Sequence, residues 1–257
     1  MNISKENKTK LNITFMMITL ALIALATATY AWFSLSLSTK VNTMDLQVTA
    51  GTHLKIDVAE HTSLDQYKTE VTQANVEGQL GYLLDSIKVD PLTSANGTAL
   101  YNQKNVLVAK TTKKYMEFDL YFMGSAPMDV YLTEKNSAGN TDGTKVTSNS
   151  GNNAKQSNID KCVRISFQPA GGGAVIYEPN KNGSTTLGVL GGGTQNTFTG
   201  ADVGQASSKI FTLTGGKLKE KVTVRIWIEG DDSDCNDDVI SSKFSTRLRF
   251  EGVESTT

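Results

Sequence analysis

Residues 13–33 read Ile-Thr-Phe-Met-Met-Ile-Thr-Leu-Ala-Leu-Ile-Ala-Leu-Ala-Thr-Ala-Thr-Tyr-Ala-Trp-Phe, without a charge, and Lys5, Lys8 and Lys10 precede them. A basic flank ahead of an apolar run is the pattern of an export signal, because positive charge is retained on the cytoplasmic side. The run also has the length of a bilayer-spanning helix, which needs roughly 20 apolar residues. Directly after it the period changes. Phe33, Leu35, Leu37, Thr39 and Val41 alternate with Ser34, Ser36, Ser38, Lys40 and Asn42. Period two marks a strand with one apolar face. An apolar helix that runs straight into a strand constrains everything downstream, since the strand must find a sheet.

Two sites for a signal peptidase present small residues at the −3 and −1 positions: Ala26-Thr27-Ala28 and Thr29-Tyr30-Ala31. Cleavage between Ala31 and Trp32 would free the strand; an uncleaved segment would remain a membrane anchor. The division expected is therefore 1–31 as export signal or signal anchor and 32–43 as an exposed N-terminal strand. Residues 44–257 then form a single β domain.

That domain reads as strand after strand. Met44–Ala50 and His53–Val58 flank Gly51-Thr52 and predict a tight hairpin. Residues 59–81 are polar and lack a 3.6 period. Tyr82–Val89 predicts another strand, stopped by Asp90-Pro91, and Asn96-Gly97 is a turn signal. Tyr115–Met123 is the clearest strand, with Met116, Phe118, Leu120 and Phe122 on one face. Met128–Thr133 follows across a short Gly/Pro segment and predicts an adjacent antiparallel partner. Residues 136–158 are poor in apolar side chains and predict a long surface loop. Cys162–Phe167, Ala174–Tyr177 and Lys209–Leu213 are shorter strands, and 168–208 otherwise reads as loop. Val222–Glu229 points Val222, Val224, Ile226 and Ile228 inward; Phe244–Phe250 repeats the pattern. Roughly ten strands without a strong amphipathic helix predict an all-β fold. The class expected is an antiparallel β-sandwich of jelly-roll topology, preceded by one N-terminal apolar helix.

Function classes fall away on composition and motif. A net charge of −1 gives no electrostatic case for nucleic acid. The triple glycines at 171–173 and 191–193 are followed by neither Lys-Ser nor Lys-Thr, so a phosphate loop is not indicated. His53 and His61 do not form His-Glu-x-x-His, and no Gly-x-Ser-x-Gly occurs. No catalytic residue and no cofactor-binding residue is assigned. Asn96-Gly97-Thr98 and Asn182-Gly183-Ser184 match a glycosylation sequon, which matters only in a eukaryotic secretory route.

Two constellations remain. Asp231, Asp232, Asp234, Asp237 and Asp238 lie within eight residues, a density of hard oxygen ligands that could hold Ca²⁺. The other reading is a solvated acidic loop. Cys162 and Cys235 both lie in the exported part and adjoin predicted strands, so a single disulfide is expected; two unrelated thiols is the alternative.

The segment Ala28-Thr29-Tyr30-Ala31-Trp32-Phe33-Ser34 resembles the end of the export signal in the TasA/camelysin family of Gram-positive surface and biofilm-matrix proteins. Thr29, Tyr30, Ala31 and Phe33 carry the match. Ala50-Gly51-Thr52 before Leu54 and Ile56 is similar to the step that leads into that family's first domain strand. The specific resemblance covers Leu22 to Gly51. It implies a jelly-roll fold and a secreted or cell-surface structural protein that self-associates into filaments. A donor strand carrying Phe33, Leu35, Leu37 and Val41 would make the contact; the strand folding back into its own domain, or serving as a membrane stalk, are the alternatives. Other functions to weigh are a membrane-anchored adhesin or lectin-like module and, lowest, a camelysin-like protease.

Overall fold

The computed structural model describes residues 10, 13–21, 39–48 (backbone), 53–135, 143–149, 158–179, 197–198, 200–201, 203–232, 234–236, 239 and 242–254. The chain divides into two units, Met1–Ser36 and Leu37–Thr257. Within the first, residues 13–21 are helical. Ile13, Phe15, Met16, Met17, Ile18 and Leu20 all leave more than half their surface exposed. Among the described residues no helix is long and apolar enough to cross a membrane.

The second unit is mostly β, and its strands form two sheets. The first sheet contains β1 (Thr39–Val48), β3 (Glu70–Val71), β4 (Lys88–Val89), β7 (Met128–Leu132), β8 (Lys145–Ser148), β12 (Lys209–Leu213) and β14 (Lys243–Glu254). Its order is β12-β7-β14-β1-β3, with β8 also on β14 and β4 also on β1. The second contains β2 (Leu54–Asp57), β5 (Pro91–Leu92), β6 (Met116–Gly124), β9 (Val163–Pro169), β10 (Val175–Tyr177), β11 (Thr197–Phe198) and β13 (Lys219–Glu229). Its order is β11-β10-β9-β13-β6-β2, with β5 alongside β13.

Alternation decides which face is inside. Along β6 every second residue from Met116 to Gly124 is buried. Along β13, Val222, Val224, Ile226 and Ile228 are buried, and on β14 Phe244, Thr246, Leu248 and Phe250 are buried, as the sequence predicts. The buried sides of the two sheets share one core. Phe122 of β6 meets Phe211 of β12 at 5.1 Å and Phe250 of β14 at 5.0 Å between ring centroids, and Phe167 of β9 meets Phe250 edge-on at 5.7 Å. Edge-to-face geometry suits the ring quadrupoles.

Several expectations are corrected. The sheets are mixed rather than antiparallel, because β1–β14, β10–β11 and β13–β5 pair in parallel. Met44–Ala50 and His53–Val58 do not form a hairpin: β1 belongs to one sheet and β2 pairs with β6 in the other. The same crossing separates β6 from β7, which the short Gly124–Pro127 corner places on opposite sheets. A turn signal marks where the chain reverses, and cannot say whether it stays in its sheet. The predicted loop 136–158 contains β8, antiparallel to Phe244–Arg247. Tyr82–Val89 is mostly a 3-10 turn at Leu84–Ser86 followed by the two-residue β4. Residues 59–81, polar and without a clear 3.6 period but able in sequence to hold a short helix, do hold one, Gln73–Leu80. Asn75 Oδ1 accepts from the amide and hydroxyl of Thr72, at 3.1 and 3.0 Å, and Gly81 closes the helix at φ 72°. The caps hold a helix that buries Val76 fully and packs Leu80 against the core.

A second, smaller core lies against the other side of the second sheet. Trp227 and Ile176 pack there with Leu92, Leu100 and Tyr115, and Val108 abuts them. Residues 91–108 therefore cover the face that strand alternation alone assigns to solvent.

Candidate functional site

The seam around β1 is the first place where sequence and structure meet. Backbone pairing joins Lys40–Val48 in parallel to Lys243–Phe250, with Val41 opposite Phe244. On its other side, among the described residues, β1 pairs only at Thr39 and Lys40 with β4, and at Leu46 and Gln47 with β3. The strand thus crosses the expected 43/44 boundary and belongs to the sheet of the second unit. Ala31, Trp32, Phe33, Leu35 and Leu37 lie outside the described residues.

The second place is a buried polar cluster at the end of β9 and β13. Arg164 is 0% exposed. Its guanidinium donates to the carbonyls of Lys161 and Val163 at 2.7 and 2.9 Å, and to Asp232 Oδ2. Asp232 Oδ1 accepts the Asp234 amide at 2.9 Å. Asp231 Oδ2 accepts from Thr93 Oγ1 at 2.9 Å. Beside them Glu229 is fully buried, taking the Trp227 indole N–H at 3.0 Å and the Asp231 amide at 3.3 Å. Burial pushes its carboxyl up to about 7 against that hydrogen bonding.

In the acidic loop, read from sequence as either a calcium site or a solvated loop, the carboxylates of Asp231 and Asp232 have partners within the protein. Asp232 is the counter-ion of a buried arginine, and both its oxygens are engaged. Asp237 and Asp238 lie outside the described residues. Among the described residues no cluster of three or more His, Cys, Asp or Glu is placed to hold a metal ion. Sequence reading missed Arg164, although one signal was visible: a lone charge inside the apolar run Val163-Arg164-Ile165.

Cys162 ends a single helical turn, Ile159–Cys162, directly before β9; it is fully buried, and its thiol donates to the Asn158 carbonyl at 3.5 Å. Cys235 is half-buried against the main core, and its amide donates to the Asp232 carbonyl at 2.9 Å. Both cysteines are free thiols and not at disulfide distance in this structure, so the expected disulfide is not formed here, although Cys162 belongs to the main core and Cys235 packs against that same core.

At the opposite end of the second unit's strands His53 Nδ1 is 2.8 Å from Ser125 Oγ, and Nε2 is 3.6 Å from Glu254 Oε1. A hydroxyl, an imidazole and a carboxylate in line are the parts of an acyl-transfer triad. Here the histidine and glutamate side chains are 51% and 58% exposed, and the Ser125 amide donates to the His53 carbonyl rather than toward a substrate. The chain ties the start of β2 to the β6–β7 corner and the end of β14. His61 serves similarly, 3.1 Å from the buried Asp57 carboxylate, which Lys68 also approaches.

Comparison with known proteins adds no relative: no family model, curated protein or solved structure matches the chain.

Proposed function

We propose that the protein is an exported, non-catalytic structural subunit of a cell-surface or biofilm-matrix filament, built as a jelly-roll β-sandwich and assembled by exchange of its N-terminal strand. One observation carries the reading. Among the described residues β1 is the first strand of its unit, is held mainly by parallel pairing with the last strand, β14, and meets only two-residue strands on its other side. A strand entering that seam makes the same backbone bonds whether it comes from its own chain or from a second copy. In sequence, the stripe of Phe33, Leu35 and Leu37 runs directly into β1. Strand addition repeated head to tail gives an open filament. The exposed apolar side chains of residues 13–21 favour a membrane contact before cleavage after Ala31 by a signal peptidase, or in a form that keeps its anchor. Self-association and the membrane are the partners this reading requires, and it requires neither cofactor nor nucleic acid.

Electron microscopy of the purified mature protein tests it. Wild-type protein is expected to form filaments. A Leu35→Asp/Leu37→Asp variant is expected to remain a folded monomer with a nearly unchanged melting temperature. Normal filaments from that variant would overturn strand exchange. A variant that loses its fold along with assembly would instead assign the strand to its own sheet.

A further inference from the structure

We propose that Cys162 and Cys235 are a redox-closed staple: in the presence of a small-molecule disulfide oxidant they form an intramolecular bridge that fastens the acidic loop to the start of β9. This goes beyond the filament reading and does not depend on it. Three observations converge. Cys162 belongs to the main core and Cys235 packs against that same core, its amide bonded to the Asp232 carbonyl at 2.9 Å. The same two segments are already joined by the buried Arg164–Asp232 pair, Arg164 lying two residues after Cys162 and Asp232 three before Cys235. The strands these segments adjoin are neighbours: β9 begins right after Cys162, the acidic loop follows β13, and Val163 pairs with Ile228. The two segments are therefore held together without the bond, and closing it brings the sulfurs the remaining distance.

The two thiols differ in role. Cys235 is the more accessible, and Cys162 is sealed in the core. The Cys235 thiol beside it and its own burial push the Cys162 thiol up, so little thiolate is present there at neutral pH. The Cys235 thiolate attacks the oxidant RSSR, releasing one RS⁻ and forming a mixed disulfide. Cys162 then attacks the Cys235 sulfur, its proton passing to the departing sulfur, which leaves as RSH. The protein loses two hydrogens and two electrons, and the oxidant becomes two RSH. The closed loop spans roughly 70 residues, a length for which a bridge restricts the unfolded chain strongly.

The experiment uses the full-length protein equilibrated with oxidised glutathione, then denatured and alkylated without reductant. The expected product resists alkylation, has lost two hydrogens from its intact mass, and yields a linked pair of peptides containing Cys162 and Cys235. Two alkylated thiols, or a product that stops at glutathione on Cys235, would overturn the proposal. The bridged protein should melt on the order of 10 °C above the reduced protein, while a Cys235→Ser variant should melt at one temperature with or without reductant. Equal melting of the bridged and reduced wild-type protein would overturn the stapling role.

Discussion

At the scale of single residues, the cluster around Arg164 concentrates the energetic risk. A fully buried guanidinium is tolerable only while its counter-ion and carbonyl acceptors stay in place. Asp232→Ala removes the counter-ion and leaves the arginine uncompensated. The expected loss is about 3–5 kcal/mol, read as a lower urea midpoint at unchanged slope. Glu229 makes a separate prediction in pH. Its carboxyl titrates near 7 when folded against an ordinary value of 4.5. Between those values the folded protein holds a proton that the unfolded chain has released. Its contribution is thus complete below about 4.5 and is lost as pH rises through 7, a change on the order of 3 kcal/mol. Arg164 and the Trp227 and Asp231 N–H groups favour the charged form and oppose the shift, but burial outweighs them. Glu229→Gln should flatten this part of the stability profile. A variant as pH-dependent as wild type between 4.5 and 7 would show that other groups titrate there.

At the scale of elements, the segment over the second sheet depends on one backbone position. Gly97 has φ 70°, and a Cβ there would lie 2.8 Å from Ser166 Cβ and 2.9 Å from Ile176 Cγ1. Its carbonyl accepts the Ser166 hydroxyl at 2.6 Å. Gly97→Ala therefore meets both a left-handed conformation and a closed contact, and should destabilise by about 1–3 kcal/mol. Near-wild-type melting of that variant would mean that the segment can lift from the sheet at little cost. Period two was enough to read β6, β13 and β14 and to assign their buried faces, because each has one side against the main core. The same rule left Trp227 on an outward face, since nothing local announces that residues 91–108 will cover it. Asn96-Gly97 was legible as a turn; that the turn presses on Ser166 was not, because the contact is set by chain far away in sequence. The acidic loop was legible as a charge cluster, whereas its use as Arg164's counter-ion needed the register of β9 against β13.

At the scale of the whole molecule, the pairing of β1 with β14 joins segments roughly 200 residues apart, whereas β6 and β13 are about half that distance and β9 and β13 closer still. Closing the longest loop last is favoured, because entropy is lost before its contacts can compensate. Pulse-labelled hydrogen exchange should therefore protect amides of β6, β9 and β13 before those of β1. Simultaneous protection of all four would sink this order. For a chain threaded outward from its first residue, the strand that emerges earliest must wait for the one that emerges latest. In the exported subunit proposed above, it would be an unclaimed ribbon beside a half-built sheet through that interval, and the timing of export would decide whose sheet it completes.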